Sequence, residues 1–390
     1  MSEKKVLNGI DILLMSDNGL ETVGGEQEST KIIINGIKDY YTLGVIQPGN
    51  IKNPLSGVYY YPLTEQTRIK HLIKKPISFL KYIWDVMKVI QLEKPKIIHT
   101  QAQVSFFIVS LLIKFKFISK KFQFIHTERG LYTKYSSTIK KTFLFFMREL
   151  DVLVTTTNFN KQYWKESIRK KKLPIKLKII ENTAGELFES YNHRYEKNNN
   201  NQLVLGFAGR YADWKNWPLA VELSQRLNEE LGENLSVNMA VGCLDYNAEE
   251  QTKKMFKELT RLMENRFKGK INISLVEMEQ FYYDIDIFIL TSDYNTESFG
   301  RTLIEAMSRK TVVLTTEAGG SVEVVGNPDN VCTTVEQFVS RVLDMYYDED
   351  KMKQIKEQNM IRVKEKYSLD NNIKKHFKLY KNHFNGDDLS

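Results

Sequence analysis

The stretch Glu297–Gly326, ESFGRTLIEAMSRKTVVLTTEAGGSVEVVG, governs the reading of the whole chain. It holds a short helical pattern from about Gly300 to Ser308, a β-branched run at Thr311–Thr315, and then a glycine pair. Two carboxylates, Glu297 and Glu305, stand eight residues apart, one ahead of the helix and one in its second turn. Between them Ser298-Phe299-Gly300 brings backbone N–H groups to a helix N-terminus, where unsatisfied donors and the helix dipole favour an anion. Gly300 lets a phosphate approach the backbone. A carboxylate only accepts hydrogen bonds, so one on either side of the anion suits the hydroxyls of a ribose or hexose.

Working outward, strands and helices keep alternating. Leu203–Phe207, Leu235–Val241, Ile271–Val276 and Ile285–Leu290 read as strands, with helices at Trp217–Glu230 and Glu249–Asn265. Upstream, Ile10–Met15, Lys96–His99, Phe122–His126, Val152–Thr155 and Ile179–Glu181 read as strands. Helical patterns fall at 76–91, 102–114 and 136–149, and another helix starts near Glu26. Such alternation argues for parallel sheets with helices on both faces. The polar stretch Tyr191–Gln202, YNHRYEKNNNNQ, interrupts it. The expected plan is a Rossmann-like domain at 1–190, a linker at 191–202, a second such domain at 203–368, and a final helix at 369–390. That helix carries Ile373, Phe377 and Tyr380 at helical spacing and must lay this stripe on a partner surface. Ligands of such sheets bind outside the carboxyl ends of the strands.

The chain has 390 residues, 42% apolar and 27% charged, which excludes a disordered polymer. Its two cysteines, Cys243 and Cys332, lie far apart, which excludes a disulfide scaffold and a cysteine-based zinc site. The net charge of +8 is unevenly spread. Residues 1–190 hold 30 Lys and Arg against 17 Asp and Glu, net +13, and the remainder is net −5. The excess sits in Lys70–Lys96, with Phe79, Tyr82 and Trp84 among the lysines, in Lys114–Lys121 and in Arg169–Lys178. A basic half implies an anionic partner or simply a solvated lysine-rich face. No recognised nucleic-acid module is present, so nucleic acid is not expected. The apolar run Ser105–Ile113 is far too short to span a bilayer, and the expected location is cytoplasmic, against the inner face of the cell membrane.

The Glu-x7-Glu pattern, followed by a strand and Gly-Gly-x-x-Glu-Val-Val, resembles the retaining GT-B glycosyltransferases of family GT4. Gly206–Asn216, GFAGRYADWKN, resembles their strand–Gly-Arg–loop–Lys segment, and Gly24-Gly25-Glu26 their glycine loop after the first strand. Ile97–Thr100, Ile125–Gly130, Asp151–Thr157 and Ile180–Phe188 follow in the family's order. The resemblance implies an α/β GT-B fold, two Rossmann-like doubly wound domains facing across a cleft, with the C-terminal helix crossing back to the first. It implies transfer of a hexose from a nucleotide-diphosphate sugar, UDP-hexose for preference, to a glycan or lipid-linked glycan in envelope polysaccharide synthesis. Configuration would be retained, without a metal or a cofactor beyond the donor itself. By the same resemblance Arg210 and Lys215 clamp the diphosphate, Glu305 binds the ribose and Glu297 holds the donor sugar. Phe299, Gly300, Arg301 and Thr302 offer backbone N–H groups, His126 reaches the transferred sugar, and Gly25 sits against the diphosphate. The chain departs from the family at Ser298, where glycine is common, and at Asn182-Thr183-Ala184, where Asn-Gly is common. It also has Glu26-Gln27 after the glycine pair in place of Ala-Glu, and a longer Ser292–Glu297 spacing.

Each assignment has a plainer counterpart. Glu297 and Glu305 also suit a solvated helix start. Arg210 and Lys215 also suit a surface pair, and His126 and His99 suit core positions at strand ends. Glu128 and Arg129 either touch an acceptor or pair with each other. Asp284-Ile285-Asp286 imitates a metal-binding doublet, but it opens an apolar strand and is read as structural. Rival functions are a GT-B epimerase or phosphorylase, a silent GT-B partner subunit, and a nucleic-acid binder.

Overall fold

The structure is a computed structural model that describes residues 9–22, 24–195 and 202–384. Half of the polar run expected as a linker, 196–201, lies outside the described residues, as does the end of the expected last segment, 385–390. The chain divides into two compact units, Met1–Glu181 with Asn372–Ser390, and Asn182–Asn371. Each is a parallel sheet wrapped by helices, the two-domain GT-B architecture.

The first sheet comprises β1 (Ile12–Met15), β2 (Leu43–Gln47), β3 (Val58–Pro62), β4 (Ile97–Thr100), β5 (Gln123–Glu128), β6 (Val152–Thr155) and β7 (Lys176–Ile179), in the order β3-β2-β1-β4-β5-β6-β7. Its central strands are buried on both faces, which is why ILLM, IIHT and VLVT read as unbroken runs. One face packs the helices Pro76–Glu93, Gln103–Lys114, Ser137–Phe146 and Asn158–Lys170 through Val86, Phe106, Phe143 and Trp164. The other packs Gly25–Ile37 and the last helix, Leu369–Phe384, through Ile33, Ile34 and Tyr380. The last helix is pinned there. Tyr380 Oη lies 2.7 Å from His99 Nδ1, and Gly36 leaves the room that Ile373 fills.

The second sheet comprises β8 (Leu203–Arg210), β9 (Leu235–Gly242), β10 (Phe267–Ile271), β11 (Ile287–Leu290) and β12 (Val312–Thr315), in the order β10-β9-β8-β11-β12. β8 pairs with β9 from Leu203↔Leu235 to Arg210↔Gly242, so Arg210 ends the longest ladder of this sheet. The division between units falls at 181/182, not at 190, because two arginines tie residues 184–188 to the second unit. Arg301 Nη2 donates to Ala184 O at 2.7 Å, and the buried Arg309 donates to Leu187 O at 2.7 Å and Phe188 O at 3.2 Å.

Ile271–Val276 is not the expected strand. The strand ends at Ile271, and Leu275 opens the helix Leu275–Tyr283. Ser274 and Glu277 form a capping box there, each side chain accepting from the other's backbone N–H, and this local motif overrides the β-branched composition. The strand expected at Ile179–Glu181 runs instead over Lys176–Ile179. The expectation also omitted β2 and β3. LGVIQ is fully buried and lacks alternation, and VYYYP is a half-exposed edge.

Candidate functional site

The strand order of the second sheet reverses between β8 and β11, and the loops after these two strands meet. After β8 the chain makes a single 3-10 turn, Asp213–Lys215, then Asn216 takes a left-handed conformation (φ 48°). Its side chain accepts from Leu219 N and starts the helix Trp217–Leu231. Trp217 Nε1 donates back to Arg210 O at 3.2 Å, which fixes the turn from inside. Lys215 is thereby aimed at the β11 loop. Thr291 Oγ1 donates to Lys215 O at 2.8 Å and Asp293 N to Trp214 O at 2.9 Å, so the two loops are stitched together.

Glu297 is held on its own backbone. Its N–H donates to Ala318 O at 2.7 Å, and its carbonyl accepts from Gly320 N at 2.8 Å. The glycine pair is needed for that turn, since Gly319 lies at φ 103°, which a side chain would disfavour. The Glu297 carboxylate accepts from Lys215 Nζ at 2.6 Å and from Ser292 Oγ at 2.7 Å. Both side chains of the ion pair are only 14% exposed, so the bond is shielded from solvent screening. Arg210 is exposed at the strand end, its guanidinium 6.0 Å from the Trp214 ring.

Gly300 is left-handed (φ 89°) and opens the seven-residue helix Arg301–Met307 without a side-chain cap. Phe299 is buried against Tyr367 (ring centroids 5.5 Å), which anchors the loop. Thr302 is half-buried in the first turn. Glu305, nearly buried, accepts from Tyr282 Oη at 3.0 Å and pairs with Arg301 Nε at 3.1 Å. Burial first, and then the Glu305 charge, holds the Tyr282 hydroxyl well above its ordinary pKa, so it stays a donor. The structure therefore gathers Arg210, Lys215, Glu297, Gly300, Arg301 and Glu305 on one sheet end. Ser292 and Tyr282, which sequence reasoning missed, orient the two carboxylates. Ser292 sits five residues before Glu297, but nothing in the local sequence marks Tyr282.

In the first unit the picture differs. Gly25 begins its helix with open space where a Cβ would stand. His126 has no exposed surface. Its Nδ1 lies 2.9 Å from Thr100 Oγ1, its ring stacks on Phe106 at 4.6 Å, and its Nε2 is 3.5 Å from Glu128. His126 is thus enclosed by protein atoms on both ring nitrogens and one ring face. Glu128 accepts from Tyr135 Oη at 2.9 Å and from Gly130 N at 2.6 Å, and Arg129 donates to Gln101 at 2.8 Å. Asp286 accepts from Val204 N at 3.0 Å and from Lys356 at 2.9 Å, so it joins strand to helix.

Residues 190–361 match the family model described as Glycosyl transferases group 1. A probable sucrose-phosphate synthase from Thermosipho melanesiensis is 36% identical over 95 residues, which is 24% of this chain and 21% of that protein. The match thus spans about a fifth of that relative's length. Sucrose-phosphate synthase from Thermosynechococcus elongatus superimposes with a TM-score of 0.78 at 14% identity, over 97% of this chain and 100% of that one. HepE of Anabaena, solved with UDP and glucose, gives 0.72 at 16% identity over 95% and 99%. These structural likenesses establish the fold, and the family match marks the second half as similar to group 1 glycosyl transferases. The chain has the GT-B fold, and its residues 190–361 are similar to the glycosyl transferases of group 1.

Proposed function

We propose that this chain transfers a hexose from a UDP-linked donor to a sugar hydroxyl, with the anomeric configuration retained. The observation that carries the proposal is the shielded Lys215–Glu297 pair at the sheet's switch point, with Arg210 ending the strand that leads to Lys215. In this reading the donor diphosphate takes the two cations. Glu297, released from part of its contact with Lys215, accepts from the hexose hydroxyls, and Glu305 accepts from the ribose. Backbone N–H groups of residues 299–302 complete the phosphate contacts.

The C1–oxygen bond to the diphosphate breaks, and the acceptor oxygen bonds to C1 from the same face. The acceptor proton leaves on the departing phosphate oxygen. Charge grows on that phosphate as the bond breaks, so preorganised cations favour the transition state over the bound donor. No metal and no further cofactor enter this scheme.

The first unit is assigned acceptor recognition, with Gly25 leaving space for the ligand. The acceptor is assigned to a glycan or lipid-linked glycan of the cell envelope, made on the cytoplasmic side. A second reading, a sugar phosphate as acceptor, has the partial match to a sucrose-phosphate synthase in its favour. Incubating the chain with a panel of nucleotide sugars, and measuring thermal shift and nucleotide release, tests the donor. UDP-hexoses should raise the melting temperature and release UDP faster when an acceptor is added. A chain that no nucleotide sugar stabilises would overturn the proposal, and one that needs inorganic phosphate would be a phosphorylase. Adding hexose phosphates or lipid-linked glycans to the same assay separates the two acceptors.

A further inference from the structure

The helix Pro76–Glu93 is apolar on two sides. Its inner side packs Tyr82, Val86 and Ile90 into the core. On the outer side Ile77 is 85% exposed, Leu80 65% and Trp84 54%. Positions spaced by three, four and seven residues share one helix face, so these three form a stripe that the core does not require. Leu92, 73% exposed, extends it by a further two turns. Gln91 Nε2 donates to Phe117 O at 3.1 Å, which brings the exposed Phe117 alongside the helix end.

The charge around this stripe is one-sided. Between residues 68 and 96 eight Lys or Arg stand against two acids, and one of the two, Glu93, is buried. Lys81 and Lys88 lie on the exposed face itself, with Lys88 Nζ 5.6 Å from the Trp84 ring. Residues 114–121 add four lysines and no acid. A second copy of the same face would meet it with like charge, and a nucleic acid would leave the apolar stripe unfilled. An anionic bilayer satisfies both features, since lysine stems can lie along apolar surface while their heads reach lipid phosphates.

We propose that this face docks the protein on a bilayer of anionic phospholipid, with Ile77, Leu80 and Trp84 entering the headgroup boundary and Lys81 and Lys88 set among the phosphates. The surface stands on its own observations and does not rest on the glycosyl-transfer reading.

The test floats the full chain with vesicles of phosphatidylcholine alone or mixed with phosphatidylglycerol. Three variants accompany it: Ile77→Ser/Leu80→Ser/Trp84→Ser, Lys81→Gln/Lys88→Gln, and Trp84→Phe. The wild type should float only with the anionic vesicles, and less so as salt rises. The triple variant should bind about tenfold more weakly or worse. The double lysine variant should lose about fivefold per lysine removed. Brominated lipid should quench tryptophan emission in the wild type, and Trp84→Phe should abolish most of that quenching. All variants should melt like the wild type, because the replaced side chains are exposed. Three outcomes would overturn the proposal: no flotation with anionic vesicles, unchanged flotation of both multiple variants, or a concentration-dependent dimer that the triple variant abolishes.

Discussion

Both sheets reverse strand order once, between β1 and β4 in the first unit and between β8 and β11 in the second. At the first reversal the loop after β1 delivers Asp17. Its carboxylate accepts from Val104 N at 2.7 Å, Ser105 N at 2.8 Å and Ser105 Oγ at 2.6 Å. The N-terminus of the helix Gln103–Lys114 is therefore occupied by an anion of the protein's own. A second carboxylate, Glu26, lies nearby and accepts from Ser16 Oγ at 2.7 Å and Asp17 N at 2.9 Å. At the second reversal the loop after β8 delivers Lys215, and Arg210 stands at the strand end. The same architecture is thus closed by carboxylates in one unit and furnished with cations in the other. Carboxylates at the first disfavour a diphosphate, which the proposed function sets at the second.

The largest test of this contrast is at the cation. Lys215→Ala should lower transfer by at least ~100-fold, the scale seen when one donor to developing charge is removed. UDP affinity should fall less, because charge on the phosphate is greater in the transition state. In Asp17→Ala, UDP affinity should stay within about twofold of wild type. Steady-state kinetics and titration calorimetry on both variants decide it. Near-normal turnover in Lys215→Ala would remove the clamp, and lost UDP affinity in Asp17→Ala would erase the contrast.

The second test concerns what Asp17 does. Its removal leaves the N–H groups of Val104 and Ser105 without their carboxylate, so Asp17→Ala should cost roughly 2 kcal/mol in urea denaturation. Asp17→Asn retains one acceptor and should recover part of that loss. A variant as stable as wild type would mean that the capping contact contributes nothing.

The third uses pH. Burial, and then the charge of Glu26, raises the Asp17 carboxyl to about 6, although its hydrogen bonds pull the other way. A carboxyl raised on folding binds its proton more tightly in the native state. Its contribution is full below the unfolded value of 3.8 and is lost as pH rises through about 6. The stability of wild type relative to Asp17→Asn should then fall by about 1 kcal/mol between pH 5 and pH 7.5. A difference that is flat across this window would show that Asp17 does not titrate there.

These contrasts were only half legible in the sequence. The second unit was readable because its motifs are local. Gly206–Asn216 forms one strand and turn, and Glu297–Gly326 forms one loop, helix, strand and turn. The Lys215–Glu297 contact joins residues 82 apart, and the resemblance to a family, which assigned one to the diphosphate and the other to the sugar, did not suggest it. Asp17 was invisible as a cap because the N–H groups it accepts from lie 87 and 88 residues away, across the sheet. The burial of His126 was not legible either, because the end of a buried strand looks alike in sequence whether the ring is open or enclosed. The division at 181/182 was hidden for the same reason, since Arg301 and Arg309 reach more than a hundred residues back to fix it.

The smallest expected effect on stability sharpens the contrast from the other side. Gly25 is the first residue of its helix, and a Cβ built there meets nothing within 4 Å. Glycine is not needed there for the fold. Alanine has the higher helix propensity, so Gly25→Ala should leave stability unchanged or raise it by less than about 1 kcal/mol. If the open space receives a ligand, the added methyl should still raise KM for donor or acceptor. A normal melting temperature with raised KM would mark Gly25 as a ligand-facing position in the carboxylate-closed unit. Unchanged kinetics would confine the proposed ligand contacts to the second unit, where the backbone is held by Gly300 and Gly319 at positive φ and no alanine can be tolerated without strain.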